Sequence, residues 1–196
     1  METHRFSLFA STILFIASIA SAYAGAIENL PSKKQTELGL YLTAQDAYKM
    51  KSEHPEIILV DVRTRAEVTF LGMPQIADAN IPYMVTEDWT NWDAKKKSFK
   101  LVPNSGFLLS MEELLKAKGA SKEAKIILMC RSGGRSAKAT NLLAKSGYSN
   151  VYSIVDGFEG DKAKNGDLKG QRVVNGWKNS GLPWSYKLDK SKMYNL

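Results

Sequence analysis

The sequence predicts an α/β fold built on a mostly parallel sheet, and three observations predict it. Two short runs, Ile57–Val60 and Ile126–Met129, are apolar without interruption, as strands are when a parallel sheet buries both their faces. Each run is followed by a stretch with helical start signals, so strands and helices alternate. Pro55, Gly119 and Gly147 fall between such stretches, where they end one element before the next begins.

Taken in order, residues 25–39 are polar and weakly patterned, an N-terminal arm. Leu40–Leu42 suits a short first strand. Thr43, with Asp46 three residues on, supplies an N-cap for a helix reaching about Ser52, which Pro55 stops. The Ile57–Val60 strand ends in Asp61-Val62-Arg63, and Thr64 with Glu67 gives the next helix a capping box. Tyr83–Phe107 is longer than a connection needs and carries Trp89, Trp92, Lys95-Lys96-Lys97 and Phe99. It reads either as a functional or mobile loop or as a surface excursion whose aromatics patch the core. Ser110 with Glu113 is expected to cap a further helix, ended by Gly119. After the Ile126–Met129 strand, a helix over Ser136–Ser146 turns Ala139, Leu142 and Leu143 to the sheet and closes at Gly147. Val151–Val155 is a last strand, ending at Asp156-Gly157. Phe158–Asn175 is rich in Gly and Lys and reads as a second insertion, and residues 185–196 as a polar, loosely held tail.

At 196 residues and 44% hydrophobic content, one domain is expected. Residues 1–24 carry the marks of a signal peptide: Arg5, a nearly unbroken apolar run Phe6–Ala20, and a small-x-small cleavage box at Ala22-Tyr23-Ala24. The alternative is an uncleaved anchor, but spans usually need about 20 apolar residues and lack such a box. Cleavage after Ala24 would leave a periplasmic or otherwise exported protein with no stable membrane insertion. The formal charge of +7 suits small anions, acidic partners or anionic headgroups, while the spread of the lysines argues against nucleic acid. The single cysteine rules out an internal disulfide, and two histidines, His4 and His54, do not make a zinc site. His54 precedes Pro55 at a helix end, so a Cys–His pair is not expected. No metal or other cofactor is implied.

The chemistry concentrates in Cys130-Arg131-Ser132-Gly133-Gly134-Arg135, between a strand and a helix N-terminus. A Gly-rich turn at such a place aims several unpaired N–H groups, and the positive end of the helix dipole, at one spot. A thiol there is readily held as thiolate, which makes it a nucleophile inside an anion cradle. The alternative is a small buried apolar residue at a strand end. Two arginines and two glycines have no packing role beside such a residue, which favours function for Cys130. Arg131, Ser132, Gly133, Gly134, Arg135 and Ser136 are then the candidate anion-binding residues.

These six residues resemble the active loop of the rhodanese family, the persulfide-carrying sulfurtransferases, whose form Cys-Arg-x-Gly-x-Arg is matched in full. The related cell-cycle phosphatases and arsenate reductases use a loop one residue longer, and Ser136 stands where they close with Arg. Asp61-Val62-Arg63 with Glu67 is similar to a second family segment, in which the Asp and Arg help to hold the active loop. The alternative is that Asp61 and Arg63 cap locally and pair with Glu67. Asp78–Pro82 resembles the family's edge-strand segment, with Gly72-Met73-Pro74 in place of its usual Gly-His-Ile. Gly176-Trp177 and Gly181-Leu182-Pro183 resemble its closing segment.

Over about residues 40–184 the resemblance implies a single rhodanese-like domain, a mostly parallel five-stranded sheet flanked by helices, with insertions at 83–107 and 158–175. It implies a sulfurtransferase that moves sulfane sulfur from a donor such as thiosulfate to cyanide or a thiol through a Cys130 persulfide. The N–H groups of Ser132 to Ser136 would cradle the sulfur, and Arg131 and Arg135 would steer and neutralise the donor. A second class of function stays open: a sulfur-carrying module that docks on a partner protein through Trp89 and Trp92 and turns over little alone.

Overall fold

The two uninterrupted apolar runs become the two central strands of the sheet. A computed structural model describes residues 30–86 and 88–194; the expected signal segment and its cleavage point after Ala24 lie outside the described residues. The strands are β1 Tyr41–Leu42, β2 Ile58–Asp61, β3 Met73–Pro74, β4 Ala79–Asn80, β5 Met84–Val85, β6 Trp92–Asp93, β7 Ser98–Phe99, β8 Val102–Pro103, β9 Ile126–Met129, β10 Val151–Ile154 and β11 Trp184–Ser185. The helices are α1 Ala44–Glu53, α2 Arg65–Leu71, α3 Phe107–Ala117 and α4 Gly134–Lys145. From Ser32 onward the chain is one compact unit. Among the described residues no helix is long and apolar enough to cross a membrane.

Five strands form the main sheet in the order β1-β10-β9-β2-β4. Every neighbouring pair is parallel. Each residue of β2 and β9 is buried, because helices cover both faces, and each fully buried Leu or Ile contributes about 1.5–3 kcal/mol. The register pairs Val60 with Leu128 and Asp61 with Met129. Consequently the residues that follow, Arg63 on one side and Cys130 on the other, leave the sheet side by side at its C-terminal edge, where ligands of parallel sheets bind.

Both expected capping boxes are present. Thr43 and Asp46 close the start of α1, and Thr64 and Glu67 the start of α2. α3 differs from expectation: it begins at Phe107 behind Gly106, with no side-chain cap, and Ser110 is a buried residue inside it. The reversal is made instead by Asn104, whose Oδ1 accepts from Gly106 N at 3.0 Å and whose backbone O accepts from Phe107 N at 3.1 Å. A residue whose side chain and carbonyl together satisfy two N–H groups ahead of Ser110 starts the helix one turn early.

The Tyr83–Phe107 excursion is a two-tier antiparallel arm. β5 pairs with β8 and β6 with β7. Lys97 turns the tip at φ 51°. Trp89, Trp92 and Phe99 sit edge to face on the arm and stay exposed, so they do not patch the core. The described part of the tail, to Tyr194, is also better held than its composition suggests. β11 pairs with β3, and Tyr194 N donates to Asn80 O at 2.8 Å, covering the edge strand β4.

Leu128→Ala, at the centre of the buried strand, is expected to lower unfolding free energy by about 2–5 kcal/mol. Trp92→Ala, on the exposed arm, should stay within about 0.5 kcal/mol of the parent. Urea unfolding monitored by circular dichroism checks both; equal losses would mean that the arm belongs to the core.

Candidate active site

β9 delivers Cys130 to the C-terminal edge of the sheet, and the chain turns at once into α4. The turn is made by Gly133, which is left-handed at φ 93° and serves as the N-cap of α4 without a side-chain cap. A Cβ at this position would lie 2.2 Å from Val155 O, so only glycine fits. Gly133 N donates to Cys130 Sγ at 3.2 Å. The sulfur is thus already placed where N–H groups at a helix start converge.

The thiol is 1% exposed at its residue and rests on hydroxyls. Ser136 Oγ lies 3.6 Å from Sγ and donates to Gly133 O at 3.0 Å. Ser153 Oγ, from β10, donates in turn to Ser136 Oγ at 3.0 Å. Ser136 therefore supports the sulfur from inside the domain, while Ser132 and Gly134 remain partly open on the outer side of the loop.

Behind the loop stands the turn after β10. Phe158 N donates to Cys130 O at 2.8 Å and Glu159 N to Arg131 O at 3.0 Å. A Cβ on Gly157 would fall 2.5 Å from Cys130 O, so this turn presses directly on the nucleophile's own peptide. The turn is held by Asp156, whose carboxylate accepts from Ala44 N at 2.9 Å and Gly176 N at 3.0 Å. Burial pushes the Asp156 pKa up, against the opposing pull of those backbone donors.

Asp61 and Arg63 are both fully buried and pair with each other, not with Glu67. Arg63 Nη2 also donates to Gly72 O at 2.7 Å, and the guanidinium lies 3.9 Å over the Phe158 ring. The pair thus reaches the loop through Phe158, whose N–H holds Cys130 O. Removing one partner would leave the other charged and buried, a cost of about 3–5 kcal/mol.

Each of the two loop arginines is tied to a carboxylate. Arg135 makes a bidentate pair with Glu67, with Nη1 to Oε2 at 2.6 Å. Arg131 Nε pairs with Glu159. Glu67 was legible as a capping residue, but its second partner stands 68 positions away, and no local pattern encodes that. Lys34, in the N-terminal segment, was missed too: it is buried, its stem lies against the Gly133 position, and its Nζ pairs with Asp161 at 2.8 Å. His54 sits exposed beside Glu56 ahead of β2, at the opposite end of the parallel sheet from Cys130.

Burial disfavours the Glu67 carboxylate, but the Arg135 hydrogen bonds and charge, the Thr64 N–H and Arg63 outweigh it and hold its pKa below the ordinary range. Arg135 is correspondingly held fully charged, with Glu67 overcoming its burial. A depressed carboxylate contributes stability above its unfolded pKa and loses it as pH falls through the folded one.

A family model described as rhodanese-like domain matches residues 43–164. An uncharacterised protein of Rickettsia conorii is 33% identical over 140 residues, 71% of this chain and 92% of its own length. A chloroplastic rhodanese-like domain-containing protein of Arabidopsis thaliana is 32% identical over 136 residues, 58% of each chain. The crystal structure of Rv0390 from M. tuberculosis superposes with a TM-score of 0.56 at 28% identity, covering 75% of this chain and 97% of that one.

Glu67→Gln keeps a residue that can cap α2 but removes the charge facing Arg135. It is expected to cost about 1–3 kcal/mol at neutral pH. The gap between parent and variant should narrow as pH drops below the ordinary glutamate range, about 4.3. Denaturant unfolding between pH 7 and pH 3 checks this; a constant gap would show that the pair carries no charge-dependent stability.

Proposed function

Because the chain belongs to the rhodanese-like family, we propose that Cys130 carries sulfur between a small anionic donor and a thiophilic acceptor. The observation that carries this reading is the Gly133 N–H aimed at Cys130 Sγ at 3.2 Å, at the uncapped start of α4. In the first half-reaction the Cys130 thiolate attacks the outer sulfur of a donor such as thiosulfate. A bond forms between the two sulfurs, the donor's S–S bond breaks, and sulfite leaves with the bonding pair. The terminal persulfide sulfur carries the negative charge, and the loop N–H groups from Ser132 to Ser136 stabilise it without rearranging. In the second half-reaction cyanide or an acceptor thiolate attacks that terminal sulfur, and the Cys130 thiolate is released.

The buried seat of the thiol fits this use. With the inner side of the sulfur occupied by Ser136, itself braced by Ser153, the incoming sulfur in this reading approaches from the loop side and meets it in line. Arg135 in this reading holds the loop to α2 through Glu67.

A second reading, a sulfur carrier that docks on a partner protein, draws on the arm. Trp89, Trp92 and Phe99 are exposed there, and a cavity of about 380 Å³ lined by Pro82, Val85, Trp89, Asn104 and Tyr194 lies at its base. The apolar run Phe6–Ala20 and the Ala22-Tyr23-Ala24 box support work outside the cytoplasm in either case.

Mass spectrometry of the intact protein after thiosulfate treatment tests the proposal. A gain of one sulfur atom on Cys130, removed by cyanide and absent in Cys130→Ser, is expected. Cys130→Ser should also abolish thiosulfate:cyanide transfer, because a hydroxyl cannot form a persulfide. Sulfur gain with negligible turnover would favour the carrier, and no gain at all would sink both readings.

A further inference from the structure

Around the loop, cations and carboxylates are matched almost one to one. Arg63 faces Asp61, Arg135 faces Glu67, Arg131 faces Glu159 and Lys34 faces Asp161. Among the described arginines around the loop, Arg172 is the exception. It has no ion-pair partner among the described residues, and its Nε is buried without a hydrogen-bond acceptor there. Its one side-chain bond runs from Nη1 to Gly160 O at 2.6 Å.

That bond fixes where the guanidinium stands. Gly160 N donates to Arg131 O at 3.3 Å, next to the bond from Glu159 N to the same carbonyl. Arg172 is therefore hung on Gly160, the residue whose N–H helps clasp the residue after the nucleophile. Its own backbone is held there as well: Lys162 bridges Arg172, and Asn179 Nδ2 donates to both Glu159 O at 2.9 Å and Arg172 O at 3.2 Å. Burial and the Arg131 charge lower the Arg172 pKa, while Glu159, Asp161 and Cys130 pull it the other way, so the thiol is among the groups whose charge Arg172 feels.

We propose that Arg172 is the donor-recognising residue of this site, taking an anionic oxygen of the sulfur donor while the loop N–H groups receive the sulfur. This rests on the sulfurtransferase reading and narrows it: the donor is an oxyanion of the thiosulfate class, not a donor without anionic oxygen such as a polysulfide or persulfide. The charge pairing supports the choice of residue: Arg63 and Arg135 are bidentate to carboxylates and Arg131 is tied through Nε to Glu159, whereas Arg172 faces no carboxylate among the described residues and keeps Nε and Nη2 uncommitted. Arg172 also lies beyond residues 43–164, the part of the chain that the family model matches. Recognition of the donor is thus carried by the part of the 158–175 insertion that lies outside the matched residues.

The test compares alkylation of Cys130 in the full chain by iodoacetate, which carries a carboxylate, and by iodoacetamide, its neutral analogue. The ratio of the two rate constants cancels changes in thiol reactivity and reads the charge at the approach to the sulfur. Arg172→Gln and Arg172→Met are each expected to lower the iodoacetate:iodoacetamide ratio by about tenfold, ~1.4 kcal/mol. Arg172→Lys should hold it within about threefold of the parent, since the charge remains. Lys100→Gln, which removes one exposed charge on the arm, should leave it unchanged. A ratio that survives both neutral Arg172 variants, or that falls equally in Lys100→Gln, overturns the assignment. A parent that takes no sulfur from thiosulfate yet loses its carboxylate preference in Arg172→Gln would sink the sulfurtransferase reading and leave Arg172 as an anion-recognising residue.

Discussion

At Gly133 the backbone turns left-handed with the Val155 carbonyl standing where a side chain would be, and the site depends on that turn. It ends the path out of β9, starts α4 without a capping side chain, and sends its own N–H to the Cys130 sulfur. A Ser or Asp cap at this place would satisfy those N–H groups and remove the reason for an anion to bind. The left-handed turn is in turn held from behind: Asp156 ties the turn after β10 to the start of α1 and to Gly176, and that turn clasps the Cys130 and Arg131 carbonyls. The geometry at the sulfur is thus set by contacts that arrive from both ends of the chain.

The charges around the loop obey a different logic from the one that the motif suggests. Two arginines within six residues look like an attractive field for any anion. In the fold each is tied to a carboxylate, Arg135 to Glu67 and Arg131 to Glu159, so much of that field is cancelled locally. Of the loop's own groups, what remains is its backbone amides and the N-terminal end of α4, which are directional and short-ranged. In the proposed reading, a site built this way favours a small anion placed in line with the thiol over bulky or diffuse ones.

Much of this was legible from the sequence, for physical reasons that can be named. Ile57–Val60 and Ile126–Met129 are apolar on every position because both faces of their strands are buried, and both capping boxes form because their partners lie three residues apart. Cys130 and the turn that follows declared themselves because strand, glycines and helix are contiguous. What failed was of three kinds. Ser110 with Glu113 fits the capping pattern but is overruled by Asn104 and Gly106 one turn earlier. The arm at residues 83–107 pairs in rungs two residues long, too short to leave a periodic signal. The partners of Arg131 and Arg135 lie 28 and 68 positions away, and a single sequence holds no record of such pairings.

The central claim is that the amides at the start of α4 hold the sulfur anion that Cys130 acquires, and the Gly133 N–H is where it can be watched. The most direct measurement is the proton and nitrogen chemical shift of Gly133 before and after thiosulfate, with cyanide added last. The account predicts a large change at Gly133 and its neighbours in the loop that accompanies sulfur gain and reverses when cyanide removes the sulfur. Sulfur gain without a shift at Gly133, or the same shift in Cys130→Ser, would contradict it.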